Sequence, residues 1–205
     1  LLWLLLPVAA ASGWWAAQRA DLKRSRAAVR RADYFKGLNY LIDDQPDQAI
    51  EVFTRMADVD RDTAEIHLAL GNLFRRRGEV DRAIHIHGSL IARTTLSANK
   101  RRRAMLELGE DYLRAGLLDR AEALFRELLD QPAHTRTALS RLISIFQQEK
   151  DWRQAIAYSD RLERISDEYQ GRQIAHFCCA LAEEARARNE DAEARSWLND
   201  ALARD

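Results

Sequence analysis

Apolar residues recur along this chain with the period of a helix, and small residues interrupt them at regular intervals. Ala49, Ala83, Ala121, Ala155 and Ala194 each fall in the second half of a helix-turn-helix pattern, at intervals of 34, 38, 34 and 39 residues. A large apolar residue, a small one, an aromatic and a turn glycine precede the alanine. They are Leu70, Gly71, Phe74 and Gly78 before Ala83, and Leu108, Gly109, Tyr112 and Gly116 before Ala121, with Phe125 following. The first unit keeps Gly37, Tyr40, Ala49 and Phe53. The fourth keeps Leu142, Phe146, Ala155 and Leu162 but puts Ile143 at the small position and Lys150 at the turn. The fifth, with Leu181, Ala182, Ala185, Ala194 and Leu198, follows the pattern most loosely. A small residue lets the two helices of a unit approach, and the aromatic fills the space against the next unit. No stretch alternates like a strand over a useful length, so the pattern predicts an all-α chain of helical hairpins.

The period is that of tetratricopeptide repeats, with the excess over 34 residues placed in connections. About five repeats are expected over 33–205, at roughly 30–63, 64–97, 102–135, 136–169 and 175–205. The turns agree: Gly78 and Gly116 suit the left-handed end of a helix, Asp81 and Asp119 are placed to cap the next one, and Pro46 and Pro132 lie at turns. With 3 prolines and 8 glycines the chain has little material for long disordered linkers. The first helix of each unit lines the concave face of such an array. Counting from the alanines places Asn72, Arg75, Glu110 and Gln147 there, free of the packing duties of the small and aromatic positions, as the preferred partner contacts. The leucines on that face, among them Leu68, Leu106 and Leu113, suit packing between first helices.

Residues 1–17 carry no charge and, at about 1.5 Å per residue, span roughly 25 Å as a helix, slightly short of a bilayer core. The small residues from Ala9 to Ser12 also allow a cleaved export signal, with a mature chain starting near Ser12. The flank favours a retained anchor. Arg19, Lys23, Arg24, Arg26, Arg30 and Arg31 face only Asp21, and basic residues stay on the cytoplasmic side, which sets the N-terminus outside and the repeats in the cytoplasm. Trp14 and Trp15 lie where indoles prefer the membrane interface. The fold expected is therefore an N-terminal transmembrane helix (1–17), a basic juxtamembrane helix (18–32) and a tetratricopeptide-repeat α-solenoid. The basic helix could also hold anionic lipid headgroups, each cation adding about 1 kcal/mol at most.

Lys plus Arg and Asp plus Glu are 32 each, so no global charge draws the chain to nucleic acid. The local clusters Arg75 to Arg77, at a helix end, and Lys100 to Arg103, in the connection between repeats two and three, suit solvated surface or docking of an acidic partner. The chain has no phosphate-cradling glycine loop, Gly-x-Ser-x-Gly elbow or HExxH, and its five histidines are scattered; an enzyme is not expected. His85 and His87 are two apart and point to different sides of a helix. Cys178 and Cys179 are adjacent, cannot easily bridge each other and lack nearby histidines, so helix packing is favoured over a redox or metal role. No cofactor is expected.

The stretches LLLPVAA at 4–10, LALGNLFRRRGEVDRAIHIH at 68–87, LGEDYLRAGLLDRAEALF at 108–125 and QIAHFCCALA at 173–182 resemble the lipopolysaccharide assembly protein B family of Gram-negative bacteria across essentially the whole chain. The resemblance implies a single-pass inner-membrane adaptor, without catalysis, that delivers the deacetylase committing lipid A synthesis (LpxC) to the membrane protease FtsH and so sets how much lipopolysaccharide is made. It also implies an alkaline-phosphatase-like inner-membrane regulator (PbgA/YejM) opposing the adaptor, with this regulator and the protease both contacted through the membrane segment and its flank, which makes Leu2, Trp3, Leu6, Trp14 and Trp15 candidate intramembrane contacts. Family members continue through further repeats to a rubredoxin-like, metal-binding module with two Cys-x-x-Cys pairs, beyond the last residue here, Asp205. The alternative is a periplasmic or membrane tetratricopeptide scaffold for envelope or cytochrome assembly.

Overall fold

The computed structural model describes residues 14–15, 18, 32–43, 45–59, 64–166 and 169–204. All regular structure among them is helical. The helices are α1 (32–42), α2 (Pro46–Val59), α3 (Ala64–Arg76), α4 (Val80–Ile91), α5 (Ala98–Arg114), α6 (Leu118–Leu128), α7 (Pro132–Glu149), α8 (Trp152–Ile165), α9 (Gly171–Ala187) and α10 (Asp191–Leu202). They divide into two compact units, one ending at Phe74 and one beginning at Arg75.

In the first unit α1 and α2 form a hairpin closed by the bond from Gln45 N–H to the Tyr40 carbonyl, 2.7 Å. Pro46 opens α2, where its missing N–H costs nothing. Gly37 explains the closeness of the two helices: a Cβ there would stand 2.7 Å from Phe53 Cζ. Phe53 is fully buried and meets Tyr34 edge-on at 6.0 Å.

The second unit stacks hairpins α5/α6, α7/α8 and α9/α10, with α4 packed on α5 and α5 touching α7. The same device recurs at Gly109, whose added Cβ would lie 2.7 Å from Phe125 Cζ. In the fourth repeat Ile143 occupies the glycine position and Ser159 the phenylalanine position, both buried, so a large–small pair is kept with its order reversed. The Ser159 hydroxyl donates to the Ala155 carbonyl at 2.8 Å, which satisfies it without a partner helix. A continuous core runs from Met105 through Phe125, Leu139, Phe146 and Leu162 to Phe177, with Leu106 and Leu113 packed on its edge. Stacked rings extend it: Phe146 on Tyr158 at 5.4 Å joins the two helices of the fourth repeat, and Trp152 on Phe177 at 5.7 Å joins the fourth repeat to the fifth.

Three hairpin turns of this unit share one backbone solution. Gly116 (φ 73°), Lys150 (φ 60°) and Asn189 (φ 61°) are left-handed. The next residue then donates five positions back, as in Leu117 to Tyr112, Asp151 to Phe146 and Glu190 to Ala185, each at 2.9 Å. Gly78, also left-handed at φ 82°, ends α3.

Two sequence expectations are corrected. Asp81 and Asp119 do not cap: the capping positions are Glu79 and Leu117, without side-chain cap bonds, and both aspartates sit inside the first turn, where their charge favourably meets the positive end of the helix dipole. The aspartate that does cap is Asp151, whose Oδ1 accepts from Gln154 N–H at 3.1 Å. The cluster Lys100 to Arg103 lies within α5 rather than in a connection. Arg101 turns back from there to donate to the carbonyls of Ile91 (2.5 Å) and Arg93 (2.8 Å), satisfying the end of α4.

No helix among the described residues is long and apolar enough to cross a membrane. Leu2, Trp3, Leu6, Arg19, Lys23, Arg24 and Arg26 lie outside the described residues. Trp14 and Trp15 are helical and exposed, at 67 % and 54 %.

Candidate functional site

The second unit holds a polar cluster in its interior and a groove beside it. Asp111, on α5, is fully buried, as is His87 on α4. A buried carboxylate is tolerable only if paired and hydrogen-bonded. Asp111 Oδ2 lies 2.5 Å from His87 Nδ1, and its Oδ1 accepts from Arg75 Nη1 at 2.7 Å. The same guanidinium donates to the Glu107 carbonyl at 3.0 Å and, through Nη2, to Glu107 Oε2 at 2.7 Å. Burial works against the charge on Arg75, yet the hydrogen bonds and charges of Glu107 and Asp111 outweigh it and raise its pKa above the ordinary arginine value. Arg75, at the end of α3, and His87, on α4, are thereby fixed to α5.

His87 was not among the candidate residues. Its signal was legible: it follows Ala83 at the place where Phe53 follows Ala49 and Phe125 follows Ala121. An imidazole at a buried aromatic position needs a polar partner, and Asp111 supplies it.

The groove, of about 520 Å³, is lined by Arg75, Arg76, Glu110, Leu113 and Arg114. Glu110 accepts from Arg141 Nε of α7 at 2.5 Å, an ion pair joining the third and fourth repeats. Of the four expected partner contacts, the structure therefore brings Arg75 and Glu110 to one groove, both already engaged with neighbouring residues. Gln147 is exposed near the end of α7 and does not line it. Asn72 is partly buried and belongs to the first unit.

Cys178 is buried and packs with Ile174 and Ala201, while Cys179 is exposed. Burial, followed by the charge of Asp200, raises the Cys178 thiol above its usual value, away from reactivity. Among the described residues no group of three His, Cys, Asp or Glu side chains is placed to hold a metal ion.

Comparison with known proteins agrees with this architecture. The family profile described as tetratricopeptide repeat matches residues 36–99 and 106–169. Lipopolysaccharide assembly protein B of Escherichia coli strain K12 is 42 % identical over 207 residues, covering 100 % of this chain and 53 % of that protein. The Haemophilus influenzae protein of the same name is 34 % identical over 213 residues, covering 99 % and 54 %. The chain thus spans about half the length of the curated relatives it matches. Among solved structures, a MamA protein superposes with a TM-score of 0.63 at 16 % identity, over 85 % of this chain and 91 % of that one. PilW, a type IV pilus biogenesis factor, gives 0.60 at 19 %, over 82 % and 74 %. At such identities these two show the fold alone.

Proposed function

We propose that this chain, which belongs to the tetratricopeptide-repeat family, acts as a non-catalytic, membrane-anchored adaptor in the control of lipopolysaccharide synthesis. The observation that carries the reading is the 42 % identity to lipopolysaccharide assembly protein B across the whole chain. The relatives' name supports a role in lipopolysaccharide assembly, and the helical repeats support a binding scaffold. The finer mechanism is our inference. The apolar run at 1–17 holds the repeats at the cytoplasmic face of the inner membrane, where they present the lipid A-committing deacetylase to the protease FtsH. The adaptor then works by raising the local concentration of substrate beside a protease in the same bilayer. The orientation follows from the basic residues after the apolar run, and the alkaline-phosphatase-like regulator would compete within the membrane at Leu2, Trp3, Leu6, Trp14 and Trp15.

Affinity capture of the tagged full-length protein from detergent-solubilised inner membranes tests this directly. Recovery of both FtsH and the deacetylase is expected; recovery of neither would overturn the adaptor reading.

A further inference from the structure

In the groove of the second unit every charge but two is compensated. Arg75 is held by Glu107 and Asp111, and Glu110 by Arg141. Arg76 and Arg114 line the same groove, are exposed, and make no hydrogen bond or ion pair among the described residues. They are the last residues of α3 and α5. The helix dipole accounts for a cation at each of these ends. It does not account for two of them converging, uncompensated, on one groove with a leucine in its wall. Leu113, half-buried on the core, gives the groove its apolar contact. At about 520 Å³ the groove is of the size that takes a few side chains rather than a folded surface.

We propose that this groove binds an extended acidic segment of a client protein, with two carboxylates meeting Arg76 and Arg114 and an aliphatic side chain between them resting on Leu113. The charge pattern selects the occupant. A basic or neutral segment would leave both guanidinia unpaired, whereas an acidic one completes the compensation that the neighbouring residues begin. Because the Glu107–Asp111 pair holds Arg75 and Arg141 holds Glu110, the groove wall is set before any partner arrives, which reduces the ordering cost of binding. The proposal rests on the adaptor reading and adds to it the chemistry of the recognised segment.

The test uses the full-length protein and a fluorescein-labelled peptide with two Glu-Leu-Asp runs, followed by anisotropy. Arg76→Gln with Arg114→Gln should weaken binding roughly tenfold, as expected for the loss of two exposed ion pairs. Replacing the peptide carboxylates by their amides should do the same to the wild type, and raising the salt should flatten the difference. Equal binding of the amide peptide, or an unaltered affinity in the double variant, overturns the groove assignment. So does displacement of the peptide by inorganic phosphate at matched charge, because the site would then read anions without regard to the chain that carries them. Capture from membranes separates the two levels. If wild type and double variant both retain the deacetylase, the groove assignment fails and the adaptor reading stands. If wild type recovers neither protease nor deacetylase, the adaptor reading fails whatever the peptide does.

Discussion

At the scale of single residues, Asp111 organises the second unit. Fully buried, it joins an imidazole and a guanidinium from two other helices, so removing it takes a carboxylate partner from both. Asp111→Ala is expected to lower stability by about 3–5 kcal/mol, as for a buried pair deprived of one partner. The double replacement His87→Phe with Asp111→Leu removes the charge and its partner together and supplies the phenylalanine found at this position in the first and third repeats. It should cost less than about 1 kcal/mol, because Arg75 keeps Glu107. Urea titration of both variants checks this, and a double variant as unstable as Asp111→Ala would contradict it. The pair also shows where sequence reading stops. The position of His87 in the repeat announces a buried group, but its partner lies 24 residues away on another helix, and no local spacing identifies it. Likewise the charges of Arg75 and Glu110 were legible on the first-helix face, while their being spent on Glu107, Asp111 and Arg141 depends on how neighbouring repeats stack.

At the scale of elements, the hairpins were legible because their requirements are local. The left-handed turns at Gly78 and Gly116 follow from glycine's freedom, and Lys150 was placed at the corresponding turn by register alone. What register does not say is that the lysine adopts φ 60°, at some cost. Lys150→Gly should therefore raise stability by about 0.5–1 kcal/mol, the gain at the turn being reduced by glycine's greater freedom in the unfolded chain. Gly109→Ala should move it the other way. Its Cβ would meet the fully buried ring of Phe125, and a loss of about 1–2 kcal/mol remains after alanine's helix preference of about 1 kcal/mol is deducted. Thermal unfolding reads both; a stabilising Gly109→Ala would show that the ring has room to shift. The aspartate caps were misread because the pattern fixes a helix start only to within a residue or two, and a cap fails when displaced by two. The placement of Lys100 to Arg103 shifted for a related reason: the extra residues of the long repeat do not end where the apolar pattern resumes, and α5 begins at Ala98.

At the scale of the whole molecule, the sequence carries an apolar run at the N-terminus, a basic segment and a set of helical repeats with a cation-lined groove. Each part is ordinary alone, and their order along one chain gives the proposed function its physical basis: a binding array tethered within reach of a membrane-bound protease turns a weak client contact into an efficient one. On the proposed function, turnover of the client requires the tether. The measurement that tests this most directly is the half-life of the lipid A-committing deacetylase in cells whose full-length protein lacks residues 1–17, with circular dichroism of the purified variant showing unchanged helix content. The account predicts a half-life lengthened to that of cells lacking the protein altogether; a half-life equal to wild type would contradict it.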